Sequence, residues 1–240
     1  MKFLVIGDLH YGVGNDDPWQ EKIRIQTMKQ IFDYVDDNAI SPLVFLGDVF
    51  DNQQALTHRT LELNRKTIIE PIQERNLKVI TIIGNHDAKH KTTLTPNAIT
   101  EVYGKIDNFH IVNSAETIDL YGTDIDFVSW ICKDNELEIR EFVKNSSSKY
   151  CFGHFELAGY YYYSGIQATH GDDPQFLRHY DYVGSGHYHT INGHGNVHYL
   201  GTPFTITSND INEERGFYEF DTNDMMNPKF IPNNKIWHRR

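Results

Sequence analysis

Apolar residues fall along this chain in short dense runs, each cut off by a glycine. Lys2–Ile6, Leu43–Leu46 and Val79–Ile83 are nearly continuous in apolar side chains and rich in β-branched ones. That is the pattern of strands buried on both faces of a parallel sheet. Between them the period lengthens to that of helices. Trp19, Ile23, Thr27, Ile31 and Val35 mark one helix, with Pro18 well placed at its start. Thr57 to Arg75 reads as a second, with Thr57 as N-cap, Leu61, Ile68, Ile69 and Ile72 on its apolar face, and Pro71 expected to kink or end it. Ala88 to Thr95 is polar and basic and reads as a loop, followed by a short helix from Pro96 to Tyr103.

The second half predicts more and shorter elements. Strands are expected at Phe109–Val112, Thr117–Leu120, Asp124–Trp130, Tyr150–Phe152, Tyr182–Val183, Val197–Leu200, Phe204–Ile206 and Gly216–Phe220, with a helix at Glu136–Lys144. The expected fold class is α/β, a two-sheet β-sandwich flanked by helices. The two halves of the chain would form its two leaves, with one site at the strand ends between them.

Composition narrows the class. The chain has 240 residues, 39% of them hydrophobic, enough for one large domain or two small ones. No run approaches the roughly 20 apolar residues of a membrane span. The first apolar run stops at Gly7-Asp8, too short for a secretory signal. Cys132 and Cys151 each fall in an expected strand and read as buried thiols, which suits a cytoplasmic compartment. The net charge of −11 argues against a protein that coats nucleic acid through lysine and arginine alone. That objection weakens where carboxylates hold divalent cations, which invert the local charge.

The chemistry sits at the strand ends. Gly7-Asp8-Leu9-His10, Gly47-Asp48-Val49-Phe50-Asp51, Gly84-Asn85-His86-Asp87, Gly153-His154 and Gly186-His187-Tyr188-His189 each place Asp, Asn or His just after a glycine that ends an apolar run. In open α/β sheets such turns face the ligand crevice. A lone histidine after a glycine is more often a turn residue than a ligand, but five such blocks in order are not a coincidence. Carboxylate, imidazole and amide oxygen, without thiolate, suit manganese, iron(II), magnesium or zinc.

These five blocks resemble the signature of the calcineurin-like metallophosphoesterases. Tyr199-Leu200-Gly201-Thr202-Pro203 is similar to the Tyr-x-Gly-Ser-Pro of their DNA-repair branch, the SbcD or meiotic-recombination-eleven type. Gly153-His154-Phe155-Glu156-Leu157, Gly201-Thr202-Pro203-Phe204-Thr205, Phe230-Ile231-Pro232-Asn233-Asn234 and Trp237-His238-Arg239-Arg240 look like the nuclease subunits of T-even bacteriophages within it. The resemblance implies a DNA nuclease with 3′–5′ exonuclease and single-strand endonuclease action, using two divalent ions, Mn²⁺ or Mg²⁺. Asp8, His10 and His189 would hold one ion, Asn85, His154 and His187 the other, and Asp48 would bridge them. His86 would act on the transition state or the leaving oxygen, with Asp87 orienting its ring. Asp51 stands where many relatives have histidine; it would orient His86 or a ligand, or merely cap a turn.

The resemblance also implies partners: DNA, an SMC-like ATPase bound through a C-terminal segment, and a second copy paired through the helices near 57–75 and 96–103. Residues 1–240 read as the nuclease domain alone, with nothing after the sheet long enough for a capping domain or an ATPase-binding segment. The rival activity is a phosphatase or phosphodiesterase of the same superfamily with a non-DNA substrate. A metal-free scaffold is the rival of another class, and all seven expected ligands are present here. Tyr160-Tyr161-Tyr162-Tyr163 could stack on a base, or simply pack, and Lys89, His90 and Lys91 could meet phosphates.

Overall fold

The structure, a computed structural model, describes residues 1–163, 165–207, 210 and 212–234. The expected Trp237–Arg240 resemblance lies outside the described residues, as does Ser164 beside the tyrosine run. The chain enters on β1 (Lys2–Ile6) and crosses to β2 (Leu43–Phe45) through α1 (Pro18–Asn38). Helix α1 is capped by the Asp17 carboxylate, which accepts from the Trp19 N–H, and Pro18 occupies its first turn. Next comes α2, running His58–Asn64, then a π-helical turn Arg65–Ile69, then Glu70–Glu74. The Thr57 hydroxyl accepts from the Thr60 N–H at its start. The helix runs past Pro71 to Glu74 instead of ending there. Proline lacks the N–H that would bond four residues back and clashes with that carbonyl, and the wider π turn just before it makes the room.

Strand β3 (Val79–Ile82) leads into β4 (Ala88–His90) and β5 (Thr93–Asn97), a small hairpin where a loop was expected. Pro96 belongs to β5, so α3 begins later, at Ala98–Tyr103, capped by Asn97. Then follow β6 (Phe109–Val112), β7 (Ala115–Leu120), β8 (Thr123–Val128), α4 (Glu136–Asn145) and β9 (Tyr150–Gly153). A hairpin of β10 (Tyr161–Tyr163) and β11 (Ile166–Gln167) precedes β12 (Tyr182–Ser185), β13 (Asn192–His194) and β14 (Val197–Tyr199). The described chain closes on β15 (Gly216–Asp221) and β16 (Asp224–Pro232). Phe204–Ile206, expected as a strand, is not one: its backbone serves as a connection, and the Phe204 ring packs on α1 through Arg24.

Two six-stranded sheets result, in the orders β16-β15-β1-β2-β3-β6 and β13-β14-β12-β9-β8-β7. Four neighbouring strands of each run parallel, β1-β2-β3-β6 in one and β14-β12-β9-β8 in the other. The leaves are therefore not the two halves of the chain. After completing the second sheet, the chain returns to lay β15 antiparallel against β1. This covers an edge of the first sheet that would otherwise expose unpaired backbone groups.

Side-chain alternation assigns each face. Phe3, Val5, Val44, Ile80 and Ile82 point between the sheets, against Ile125, Phe127, Phe152 and Tyr182. Leu4, Ile6, Leu43 and Phe45 point outward under α1, α2 and α3. The second sheet is covered on its outer face by Ile139 and Val143 of α4. Both faces of the central strands are thus buried, which is why their sequences read as continuous apolar runs. Both cysteines are free and buried; Cys151 is in β9, but Cys132 lies in the connection after β8, not in a strand. No helix among the described residues is long and apolar enough to cross a membrane.

Phe152 is the hub of the inner core. Its ring meets Phe3 at 6.0 Å, Phe127 at 6.0 Å and Phe220 at 5.0 Å. Phe152→Ala should therefore destabilise the domain by about 3–5 kcal/mol, the usual cost of emptying a large aromatic from a core. Urea unfolding followed by tryptophan fluorescence measures this; a loss below about 1 kcal/mol would mean that the sheets are not held together there.

Candidate metal centre

All five turns singled out in the sequence leave the C-terminal ends of parallel strands, at the same end of the sandwich. Asp8 and His10 follow β1, Asp48 follows β2, Asn85 to Asp87 follow β3, His154 follows β9, and His187 and His189 follow β12. Asp8, His10, Asp48, Asp87 and His154 are buried, while Asn85, His86, His187 and His189 are half-buried. Two glycines allow the turns to close this tightly. A Cβ on Gly84 would lie 2.2 Å from Asp48 Oδ1, and Gly47 adopts a φ of +84° where a Cβ would lie 2.7 Å from the Gly84 nitrogen. His10, Asp48 and His187 also have positive φ, at 43°, 46° and 82°. Left-handed backbone at residues other than glycine costs energy that the surrounding structure must offset.

The expected donor atoms form two groups, beside a third cluster of His10, Asp51 and His86. Asp8, His10 and His189 present one atom each within 4.8 Å of one another, and so do Asp48, His154 and His187. Asn85 joins the second group: its Oδ1 is 3.0 Å from His154 Nε2 and 2.8 Å from His187 Nδ1. Asp48 Oδ2 lies between the groups, 3.3 Å from His154 Nε2 and 3.8 Å from His10 Nε2.

The proton inventory of this centre fits a cation. His154 Nδ1–H donates to the Leu46 carbonyl at 2.7 Å, so its Nε2 turns a lone pair toward the oxygens of Asn85 and Asp48. His10 Nδ1 meets the Asp51 carboxylate at 3.0 Å, and its Nε2 faces His189 Nε2 at 3.1 Å. His189 Nδ1 is buried without a hydrogen-bond partner among the described residues. Lone pairs face lone pairs, and only protons or cations relieve that arrangement. Oxygen and imidazole donors suit hard or borderline divalent ions.

Without a cation, protons take that role. Burial alone would lower the pKa of His154, but the Asp48 carboxylate outweighs it and pushes the imidazole up to about 10. Burial alone would likewise raise Asp48, and the His154 charge holds it down instead. Burial drives His187 down to about 3, helped by the positive His154 beside it. Burial, then His10, keeps His189 well below the usual imidazole range. Burial raises Asp8 and Asp87, and the Asp48 charge adds to both.

The turns also define what the remaining polar groups do. Among the described residues the Asp87 carboxylate makes no hydrogen bond to His86. It accepts from the Phe50 and Gly84 N–H groups, both at 3.0 Å, and so ties the turn after β2 to the turn after β3. Asp51 takes the place expected of Asp87. Its carbonyl meets His86 Nδ1 at 2.8 Å while its carboxylate holds His10, so one residue fixes two imidazoles. The His86 ring stands edge-on to His10, 4.9 Å between centroids. Glu156, passed over in the sequence, lies 4.0 Å from His187 Nε2 and 3.2 Å from His170 Nε2. Its position directly after the Gly-His block was the available signal. Tyr160 is buried with its hydroxyl on the His194 carbonyl, whereas Tyr162 and Tyr163, with Tyr188, line a cavity beside His187 and His189. Lys89, His90 and Lys91 are exposed on the β4–β5 hairpin.

Residues 1–191 match the calcineurin-like phosphoesterase family. The chain belongs to that family. Among curated proteins, this phosphoesterase is similar to exonuclease subunit 1 of Enterobacteria phage T4, 43% identical over 240 residues that cover all of this chain and 70% of that one. Among solved structures, the anchor in the inner membrane complex of Plasmodium superposes with a TM-score of 0.56 at 14% identity, covering all of this chain and 91% of that one. It shares the fold. An archaeal phosphodiesterase superposes at a TM-score of 0.49 with 10% identity, over 97% of this chain and all of that one.

As a member of this family the chain is a phosphoester hydrolase with divalent-metal donors at the strand ends. Cation binding through His154 Nε2 at pH 7 would require the proton there to leave. Affinity for Mn²⁺ should therefore rise between pH 6 and pH 8, by about tenfold per pH unit for one linked proton. Calorimetric titration in buffers of different ionisation enthalpy should show about one proton released per binding event at the His154 group. Binding heats independent of buffer would show that His154 carries no proton to displace.

Proposed function

We propose that this phosphoesterase is a metal-dependent DNA nuclease that trims DNA from 3′ ends and cuts single strands. One observation carries the reading: seven donor residues form two adjoining groups, with Asp48 between them and His86 at their side. The similarity to a protein named exonuclease subunit 1 supports DNA as the substrate class.

Asp8, His10 and His189 would hold one ion, and Asn85, His154 and His187 the other, with Asp48 shared. Two divalent cations there, most readily Mn²⁺, supply Lewis-acid activation of the attacking water and of the phosphoryl oxygens. The chain's own groups do the rest. Asp51 presents its carbonyl to His86 Nδ1–H, which turns Nε2 outward. In-line displacement adds water to phosphorus and breaks the bond to the sugar oxygen. That oxygen needs a proton, and an imidazole exchanges protons near neutrality. His86 would give it. The His10 tautomer is set by the Asp51 carboxylate, which leaves His10 Nε2 available as a donor atom.

The same similarity supports an assembly. The relative is named a subunit, and the reading extends to an SMC-like ATPase as partner and to a second copy of this chain. Leu61 on α2 is 37% exposed, an apolar side chain available for a symmetric helix contact.

With Mn²⁺, the purified protein should degrade end-labelled double-stranded DNA and nick a single-stranded circle. Asp48→Ala should lower both rates by at least a hundredfold. Hydrolysis of para-nitrophenyl phosphodiester with both DNAs untouched would instead support a phosphodiesterase with another substrate. His86→Ser removes an imidazole without touching the donor groups. It should bind Mn²⁺ as tightly as wild type while turnover falls by about 10²–10⁴-fold, the range of a lost acid–base group. Normal turnover in that variant would remove His86 from the chemistry.

A further inference from the structure

Two arginines are buried against the same half of this centre. Arg24, on α1, is 1% exposed. Its Nε donates to the Leu9 carbonyl at 3.0 Å, and its terminal nitrogen donates to the His10 carbonyl. The guanidinium lies against the rings of Tyr11 and Phe204, 5.6 and 5.1 Å from their centroids. Among the described residues no carboxylate pairs with it. Burial lowers its pKa to about 10, which leaves it charged at neutral pH. Arg215 is 5% exposed and donates to the His189 carbonyl and to Thr202 Oγ1. Unlike Arg24 it is balanced, by Glu213 at 2.6 Å and Asp210 at 3.1 Å.

A buried guanidinium without a carboxylate is expensive, and an apolar side chain of similar volume is often as stable or more so. The carbonyls that Arg24 meets show what it does there. His10 has left-handed backbone, with φ at 43°. Its N–H and that of Leu9 both donate to the Asp48 carbonyl, at 2.9 and 3.0 Å. Arg24 takes the carbonyls of the same two residues, so the strained turn is gripped on both of its hydrogen-bonding sides. Arg215 does the equivalent at His189, whose carbonyl also accepts from the Thr202 N–H at 3.2 Å. No guanidinium bonds the carbonyl of His154 or His187 among the described residues.

We propose that Arg24 and Arg215 are positioning residues for the Asp8–His10–His189 half of the centre, holding the backbone of its two histidines so that their Nε2 atoms converge. The proposal rests on the reading of His10 and His189 as metal ligands. It predicts asymmetry: losing either clamp weakens one ion and leaves the other alone.

The test is a calorimetric Mn²⁺ titration of the full chain as wild type, Arg24→Met and Arg215→Lys, each checked by circular dichroism melting. Wild type should bind two equivalents. Arg24→Met should keep or raise its melting temperature, bind one equivalent about 10–100-fold more weakly, and bind the other unchanged. Its kcat on para-nitrophenyl phosphodiester should fall with KM nearly constant. Arg215→Lys should weaken the same equivalent. Folded Arg24→Met that binds both ions like wild type overturns the proposal, and so does equal weakening of both, which would be a general loosening of the fold. Should Arg24→Met not fold, Arg24→Lys keeps the charge and one donor. It should show the same one-site loss to a smaller degree, and two unaltered equivalents in it are equally fatal. Wild type that binds fewer than two equivalents is a different result, and sinks the two-ion reading on which the proposal stands.

Discussion

The end of strand β2 is where this structure is tied together. Asp48 is 1% exposed and belongs to three turns at once. Its carbonyl accepts from Leu9 and His10, which fixes the turn after β1. Its Oδ1 accepts from the His86 N–H at 2.7 Å, which fixes the turn after β3. Its Oδ2 faces His154 from the other sheet. One carboxylate thus registers the first sheet against the second at the functional end. The negative charge that makes this possible must be matched, and the histidines around it supply the match as imidazolium or as ligands of a cation.

Such a centre is costly to build. Buried carboxylates, left-handed backbone and facing lone pairs all oppose folding. The compensation lies immediately beneath, in the aromatic and β-branched layer between the sheets. Phe152 sits two residues before His154, and Val5 and Val44 lie close below Asp8 and Asp48. The rigid layer allows the turns above it to be strained without being mobile. The parallel direction of the inner strands matters equally, because it brings every functional turn out at one end.

The chain's acidity also looks different in the folded protein. Asp8, Asp48 and Asp87 are buried at the centre, where hydrogen bonds, imidazoles or cations answer their charge. They do not contribute an exposed acidic face to an approaching phosphodiester. The exposed Lys89 and Lys91 on the β4–β5 hairpin stand beside the turn that carries His86.

Most strands and helices, and the turns that carry the candidate donors, were legible because each obeys a local rule. Burial on both faces writes a continuous apolar run, a helix writes a 3.6-residue period, and a turn that must approach another backbone writes glycine. Partnership between distant residues has no such local mark. Nothing near Asp87 says that its carboxylate reaches Phe50 and Gly84, and Asp51, expected to orient His86 or a ligand, gives no sign that it meets His86 and His10 together. The return of β15 and β16 to the first sheet was hidden for the same reason: pairing with β1 spans more than 200 residues and leaves no periodicity. Arg24 shows the limit most plainly. In the sequence it is only the residue after Ile23, and nothing there singles it out. Only the packing of α1 against the turn after β1 decided that a guanidinium there would grip two carbonyls, because hydrogen-bond partners are chosen by proximity in space and not along the chain.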